Sequence, residues 1–135
     1  PGATEKITVN NDGDTVLEGT ANYSYEDPND QDSEIDQTLK MEYTYTVDKD
    51  TNNITAVIKQ TVTVNGVATT QTWFLTYNAQ TKVTTGNLYN GEFAAEPNTG
   101  KVAGFTYDDK DKTGTVFLYD ANGQLIAQDD FNMAA

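Results

Sequence analysis

The sequence predicts an all-β fold, an antiparallel meander of about eight to ten strands. Polar and apolar residues alternate with a period of two over most of residues 35–77, which is typical of strands with one buried and one wet face. Short segments rich in Asn, Asp and Gly separate the alternating stretches, and such segments form tight turns. No stretch shows the spacing of an amphipathic helix.

Two turns within residues 35–77 predict the register of three long strands. Asn65-Gly66 is a two-residue hairpin turn, and a loop over 48–53 closes the preceding hairpin. The apolar positions of all three strands then share one face, the predicted inner face, and a slip of one residue would expose them. The predicted partners are Val64–Val67, Gln60–Gln71, Ile58–Trp73, Tyr45–Ala56, Tyr43–Ile58, Met41–Gln60 and, on the outer face, Glu42–Lys59.

Weaker alternation predicts further strands on both sides of this region. A hairpin over 5–25 turns near Asn11–Asp14, and after residue 77 strands are expected near 82–89, 102–107, 115–119 and 124–127. Successive hairpins favour closure into an up-and-down, lipocalin-like β-barrel, with a β-sandwich as the second choice. All of residues 1–135 are interpreted as one domain.

No internal repeat of fixed period is predicted. The segment Tyr-Asp-Ala-Asn-Gly-Gln-Leu at 119–125 resembles one hairpin of the tyrosine–aspartate repeats of bacterial surface toxins. The resemblance covers this segment once, and no function is drawn from it.

The composition excludes several classes of function. The chain has no Cys, His or Arg, so disulfides, Ser-His-Asp triads and the usual zinc ligands are excluded. A net charge of −13 repels nucleic acid, and no apolar run of about 18 residues predicts membrane insertion. We expect no enzymatic activity; a glycosidase with paired carboxylates is the catalytic class that this inventory leaves open.

A dense group of acids in residues 26–36 is the candidate calcium site. Calcium prefers six to eight oxygen ligands, and clustered carboxylates supply them. The alternative is a solvated charged loop. The candidate ligands are Glu26, Asp27, Asp30, Asp32, Glu34 and Asp36. No other cofactor is expected.

An aromatic layer on the predicted inner face is the candidate ligand site. Such a layer stacks on a sugar or lines a cavity, and the alternative is an ordinary aromatic core. Gly19 and Ala21 leave space on this face for a bulky neighbour or a ligand. We expect Trp73 to be buried and the two glutamines to mark a wet mouth or cavity floor. The candidate residues are Tyr23, Tyr25, Tyr43, Tyr45, Gln60, Gln71, Trp73 and Tyr77.

The preferred functional interpretation is a secreted or cell-surface β-domain without catalytic activity. It would act by binding or adhesion to a protein or glycan surface, with a carbohydrate or a small molecule as its ligand. One alternative is a structural subunit that self-assembles into an extracellular fibre or surface assembly. Another is a β-barrel that carries a small apolar ligand.

Overall fold

The computed structural model describes residues 2–26 and 36–134. These residues form nine β-strands in one sheet, and they contain no helix long and apolar enough to cross a membrane. The strands are β1 (Gly2–Val9), β2 (Thr15–Glu26), β3 (Asp36–Val47), β4 (Ile54–Val64), β5 (Val67–Asn78), β6 (Val83–Asn90), β7 (Lys101–Asp108), β8 (Thr113–Tyr119) and β9 (Leu125–Asn132).

The predicted antiparallel meander is confirmed, since the strands follow one another across the sheet in chain order. The predicted register is also confirmed: all the pairs proposed from the sequence are partners between β3 and β4 or between β4 and β5. Asn65 and Gly66 adopt φ values of 53° and 79°. Positive φ at both central residues is what a type I′ turn requires, and its twist matches that of the flanking strands.

The predicted closure into a barrel is wrong, because the sheet is open. β1 pairs with β2 alone and β9 with β8 alone, and contacts between the described strands join sheet neighbours only. Closing a barrel requires the register to stagger from strand to strand. Here a row of direct partners from Val9 to Phe131 stays beside the same set of turns across the whole sheet, so no stagger accumulates. The second choice, a sandwich, would need another sheet, and residues 2–26 and 36–134 form just one.

One side of the sheet, named here the aromatic face, contains three rows of direct partners that cross all nine strands. The first row is Val9, Thr15, Val47, Ile54, Tyr77, Thr84, Tyr107, Gly114 and Phe131. The second is Ile7, Leu17, Tyr45, Ala56, Leu75, Gly86, Phe105, Val116 and Asp129. The third is Glu5, Gly19, Tyr43, Ile58, Trp73, Leu88, Ala103, Leu118 and Ala127.

The opposite side, named here the threonine face, carries most of the threonines and the strand lysines. One of its rows contains seven threonines between β1 and β8, an arrangement that allows favourable cross-strand Thr pairs. That row is Thr8, Val16, Thr46, Thr55, Thr76, Thr85, Thr106, Thr115 and Asp130.

Ala56 and Leu88 are buried on the aromatic face, and a second small group of buried side chains lies on the threonine face, beneath residues 91–100, named here the covering loop. Thr72 is fully buried, and Phe74 and Tyr89 are 8% and 5% exposed. The Thr72 hydroxyl donates to the Gly91 carbonyl over 2.7 Å and accepts from the Phe93 amide over 3.3 Å. These bonds hold the loop against β5, and its body keeps water away from the rings below.

The turns at one end of the sheet repeat a structure that the sequence analysis missed. Asp48, Asn78 and Asp108 are equally spaced in the chain, and each accepts two backbone N–H groups through Oδ1. Successive loops are also bonded to one another, as in the bond from the Asp109 amide to the Lys82 carbonyl (3.0 Å). The sequence carries the repeat at the same spacing, since Thr76-Tyr77, Lys82 and Leu88-Tyr89 recur as Thr106-Tyr107, Lys112 and Leu118-Tyr119, so the expectation of no repeat with a fixed period is wrong.

Candidate functional site

The structure places all the predicted ligand-binding side chains on the aromatic face, because they share the parity of its rows. Tyr43, Tyr45, Trp73 and Tyr77 lie within the three rows. The others lie farther towards the Asn65-Gly66 turn, and there Tyr23 and Tyr25 are exposed. The face therefore has an aromatic centre and more open ends.

Three aromatic rings on this face lie over glycines of the neighbouring strand. In each pair the glycine and the aromatic residue are direct partners, and a Cβ built on the glycine would come within 2.3 Å of the ring. The sheet supports each ring on one side, and all three side chains are partly buried. The pairs are Gly19–Tyr43, Gly86–Phe105 and Gly114–Phe131. The expected bulky neighbour of Gly19 is therefore Tyr43.

Each of these rings reaches beyond the glycine to the next strand. The Tyr43 hydroxyl donates to Glu5 on β1 over 2.7 Å. Phe105 meets Trp73 on β5 edge to face, with ring centroids 5.7 Å apart. Phe131 stacks with Tyr107 on β7 at 5.9 Å and an interplanar angle of 7°. Each ring thus ties three strands together where no second layer of the described chain covers them.

The hydrogen bond between Tyr43 and Glu5 also favours the neutral form of the phenol. The bond to the Glu5 carboxylate, followed by partial burial, raises the pKa of Tyr43 above its usual value. The phenol therefore stays a neutral donor at neutral pH, and its proton is engaged within the sheet.

Trp73 is central, as predicted, but it is partly buried and does not reach the full burial that was expected. It lies on β5, the middle strand, between its direct partners Ile58 and Leu88. These neighbours and Phe105 protect its edges. The outward side of the indole stays accessible because no described part of the chain covers the aromatic face.

The two glutamines form a ladder of side-chain amides in place of a cavity floor. Gln60 Nε2 donates to Gln71 Oε1 over 3.3 Å, and Gln71 Nε2 donates to Asn90 Oδ1 over 2.8 Å. The facing arrangement was predicted, and Asn90 adds a third member. Because the sheet is open, the described residues enclose no lumen that these amides could border.

A second candidate site is a groove of about 510 Å³ on the threonine face, between β1 and the covering loop. Lys59 lies in it, with its Nζ 2.6 Å from Glu92 and 3.3 Å from Glu42. The hydrogen bond to Glu92 is the main cause that raises the pKa of Lys59. Both carboxylates are thus tied to one cation, and this makes them poor candidates for an acid–base pair. The sequence predicted the Glu42 partner, but Glu92 lies on the loop whose path it did not reveal.

The calcium prediction remains a prediction. Residues 27–35 lie outside the described part of the chain, and of the candidate ligands only Glu26 and Asp36 have a described backbone, as partners at the ends of β2 and β3. Elsewhere in the described chain, no three or more Asp or Glu side chains are grouped so that they could hold a metal ion.

Comparison with known proteins gives no family for this chain. No protein-family model matches it, and neither a curated protein nor a solved structure is significantly similar.

Proposed function

We propose that this protein is a non-catalytic β-domain of the cell exterior that acts by binding or adhesion through its aromatic face. One observation carries the proposal. The three rows cross nine strands and contain no lysine, and their only carboxylates are Glu5 and Asp129. An apolar face of this extent on an open sheet is a typical interaction surface.

The exposure of individual side chains supports this choice of face. Ile7 is 70% exposed, and Val116 and Leu118 on β8 are about half exposed. Single exposed apolar residues are common on any protein. These residues, however, belong to continuous rows with Tyr45, Trp73 and their neighbours, so together they form one large patch.

The absence of catalysis is part of the proposal and is supported by the chemistry of the side chains. The chain has no Cys, His or Arg, so a reaction would depend on carboxylates, lysine or tyrosine. In the groove on the threonine face the carboxylates of Glu42 and Glu92 both contact Lys59. The Tyr43 phenol, with its raised pKa, is a poor base or nucleophile near neutral pH.

Adhesion of the labelled protein to glycan-coated and protein-coated surfaces tests the proposal. Val116→Lys with Leu118→Lys places two charges on the aromatic face and should reduce retention at least tenfold. Thr55→Lys with Thr76→Lys adds the same charge to exposed positions of the threonine face and should leave retention unchanged. Equal retention of both double variants would contradict a role for the aromatic face.

A structural subunit of an extracellular assembly is the second candidate, and the open edges of the sheet favour it. β1 and β9 each present one unpaired backbone edge, which is a template for strand addition. Electron microscopy of concentrated protein should then show filaments, and Thr4→Pro on β1 should suppress them. The barrel carrier has no support, because the sheet does not close.

A further inference from the structure

We propose that the partner of the aromatic face is a second copy of this chain, packed face to face so that two open sheets form a sandwich. This inference rests on the proposed function, since it uses the same face. It goes further by identifying the occupant and by predicting a two-fold symmetric, isologous interface.

The isolated chain exposes more surface than a compact monomer of its mass. Its accessible surface is 9153 Å², whereas a compact monomer of 14.8 kDa exposes about 7,000 Å². The excess is roughly 2,000 Å². A single open sheet exposes both faces, and a second layer on one face would remove much of this excess.

The aromatic face is large enough for a stable interface. Strands spaced about 4.8 Å apart, with about ten residues rising about 3.3 Å each, give nine strands a face of roughly 1,400 Å². Two such faces in contact bury about 2,800 Å² in total, which exceeds the roughly 1,200–2,000 Å² of a standard stable interface. A self-complementary contact therefore has enough area for a permanent dimer.

The charges of the aromatic face lie at its edges. Its two charged residues, Glu5 and Asp129, lie on the outermost strands β1 and β9. The centre holds Trp73, Ile58 and Tyr45. An apolar, aromatic centre with a charged rim is the usual anatomy of a protein interface.

The same distribution explains how a chain with a net charge of −13 can pair with itself. The strand lysines and most strand acids lie on the threonine face, and other acids lie in the turns. Sheets packed face to face are about 10 Å apart, so these charges would point away from the interface or lie at its margins. Salt screens what repulsion remains, with a Debye length of about 8 Å at physiological ionic strength.

A glycan is a weaker candidate for this face. Sugars present many hydroxyls that need hydrogen-bond partners, and burying them unpaired is costly. The Tyr43 hydroxyl, in the third row, already donates to Glu5. The apolar face of a second copy can pack here without new hydrogen-bond partners for buried hydroxyls.

Sedimentation equilibrium between 1 and 100 µM, combined with acrylamide quenching of Trp73 fluorescence, tests the inference. The expected mass is twice the 14.8 kDa of the chain, and quenching should fall at least threefold when the dimer forms, because Trp73 lies at the centre of the contact. Pairing through the edge strands would also double the mass but would leave quenching unchanged, and that result would overturn the proposal.

Matched lysine variants locate the interface. Ile7→Lys with Leu75→Lys should give a monomer throughout this range, and Thr8→Lys with Thr76→Lys, adjacent on the same strands but facing the other way, should remain dimeric. Circular dichroism checks that each variant folds. If the Leu75 variant does not fold, Val116→Lys with Leu118→Lys, at half-exposed positions, serves the same purpose.

A wild-type chain that stays at 14.8 kDa up to 100 µM would refute the dimer. If that monomer still adheres to a surface through the aromatic face, only the identity of the partner is wrong and the proposed function stands. If the monomer shows no adhesion that depends on this face, the proposed function fails as well.

Discussion

Trp73 and Phe74 are neighbours on the central strand, but they point to opposite faces and differ in burial. Phe74 points to the threonine face, where it packs edge to face on Tyr89 at 5.6 Å beneath the covering loop and is 8% exposed. Trp73 points to the aromatic face, is surrounded by apolar partners and is still only half-buried. The more hydrophobic face of the sheet is thus the one that the described chain leaves open.

The difference separates two properties that are usually predicted together. Alternation along a strand determines which residues share a face, because successive side chains point to opposite sides. Whether a face is covered depends on what else the chain places over it. Here ten residues of loop bury Phe74 and Tyr89, whereas the apolar face has no cover from the described chain.

The largest expected effect on stability comes from replacing the two neighbouring aromatic residues of β5, Trp73 and Phe74, one at a time. Phe74→Ala should cost about 3–5 kcal/mol of the free energy of unfolding, because it empties the small core under the covering loop. Trp73→Ala should cost less in a monomer, since its outward side already contacts solvent. Urea unfolding followed by circular dichroism at submicromolar concentration measures both, and a larger cost for Trp73→Ala would reverse the comparison.

The glycines beneath the aromatic rings should tolerate no side chain. A Cβ at Gly114 would lie 2.3 Å from both the Phe131 ring and the Thr106 carbonyl oxygen. Because the carbonyl belongs to the backbone and cannot swing away, we expect Gly114→Ala to cost about 1–3 kcal/mol in urea unfolding. Gly2→Ala, where nothing lies within 4 Å, is the matched control and should be close to neutral. Similar costs for both would mean that close contact with the ring is unimportant.

The free energy of unfolding should fall at alkaline pH because of Tyr89, which lies in the core under the covering loop. Burial, helped by the hydrogen bond to Glu96, raises the pKa of Tyr89 to about 12. A raised folded-state pKa means that this stabilisation is complete below the unfolded pKa of about 10 and is lost as pH rises from about 10 to 12, by on the order of 2 kcal/mol.

Tyr89→Phe isolates this contribution from lysines that titrate over the same range. The variant should lose less unfolding free energy than the wild type between pH 9 and pH 12, as measured by urea titrations at each pH. Parallel curves for the two proteins would show that Tyr89 does not report on the covered core.

The smallest expected effect on stability comes from the turns at the end of the sheet, which belong to neither face. Backbone N–H groups of Thr51 and Asp50 donate to Asp48 and lower its pKa. This stabilisation is therefore present above the unfolded pKa and is lost as pH falls through the folded one. Asp48→Asn keeps the acceptor oxygen, as Asn78 does in the equivalent turn, and should barely change Tm at pH 7. Asp48→Ala removes the acceptor and should lower Tm, and a Tm equal to that of Asp48→Asn would show that the bonds are dispensable.

The local features of this protein were predictable because they arise from local rules. The period of two gave the strands of residues 36–78 and their common face, and Asn65-Gly66 set the pairing of Gln60 with Gln71 without further information. The spacious position at Gly19 indicated a bulky neighbour. The Gly–aromatic pairs at Gly86 and Gly114 left a weaker signal, because each depends on a partner one strand away. The repeated turns are local, since Asp48 accepts from Asp50 and Thr51 of its own loop, and their equal spacing is present in the sequence itself.

By itself, then, the sequence determined an antiparallel meander, its register where turns are short, and the composition of each face. Only the tertiary structure decided that the sheet stays open, that the covering loop lies over Phe74, and that Lys59 meets Glu92. The physical reason is the distance along the chain over which each interaction acts. Side-chain alternation and turn geometry act over a few residues, whereas closure depends on stagger summed over nine strands, and the path of a loop depends on contacts between distant parts of the chain.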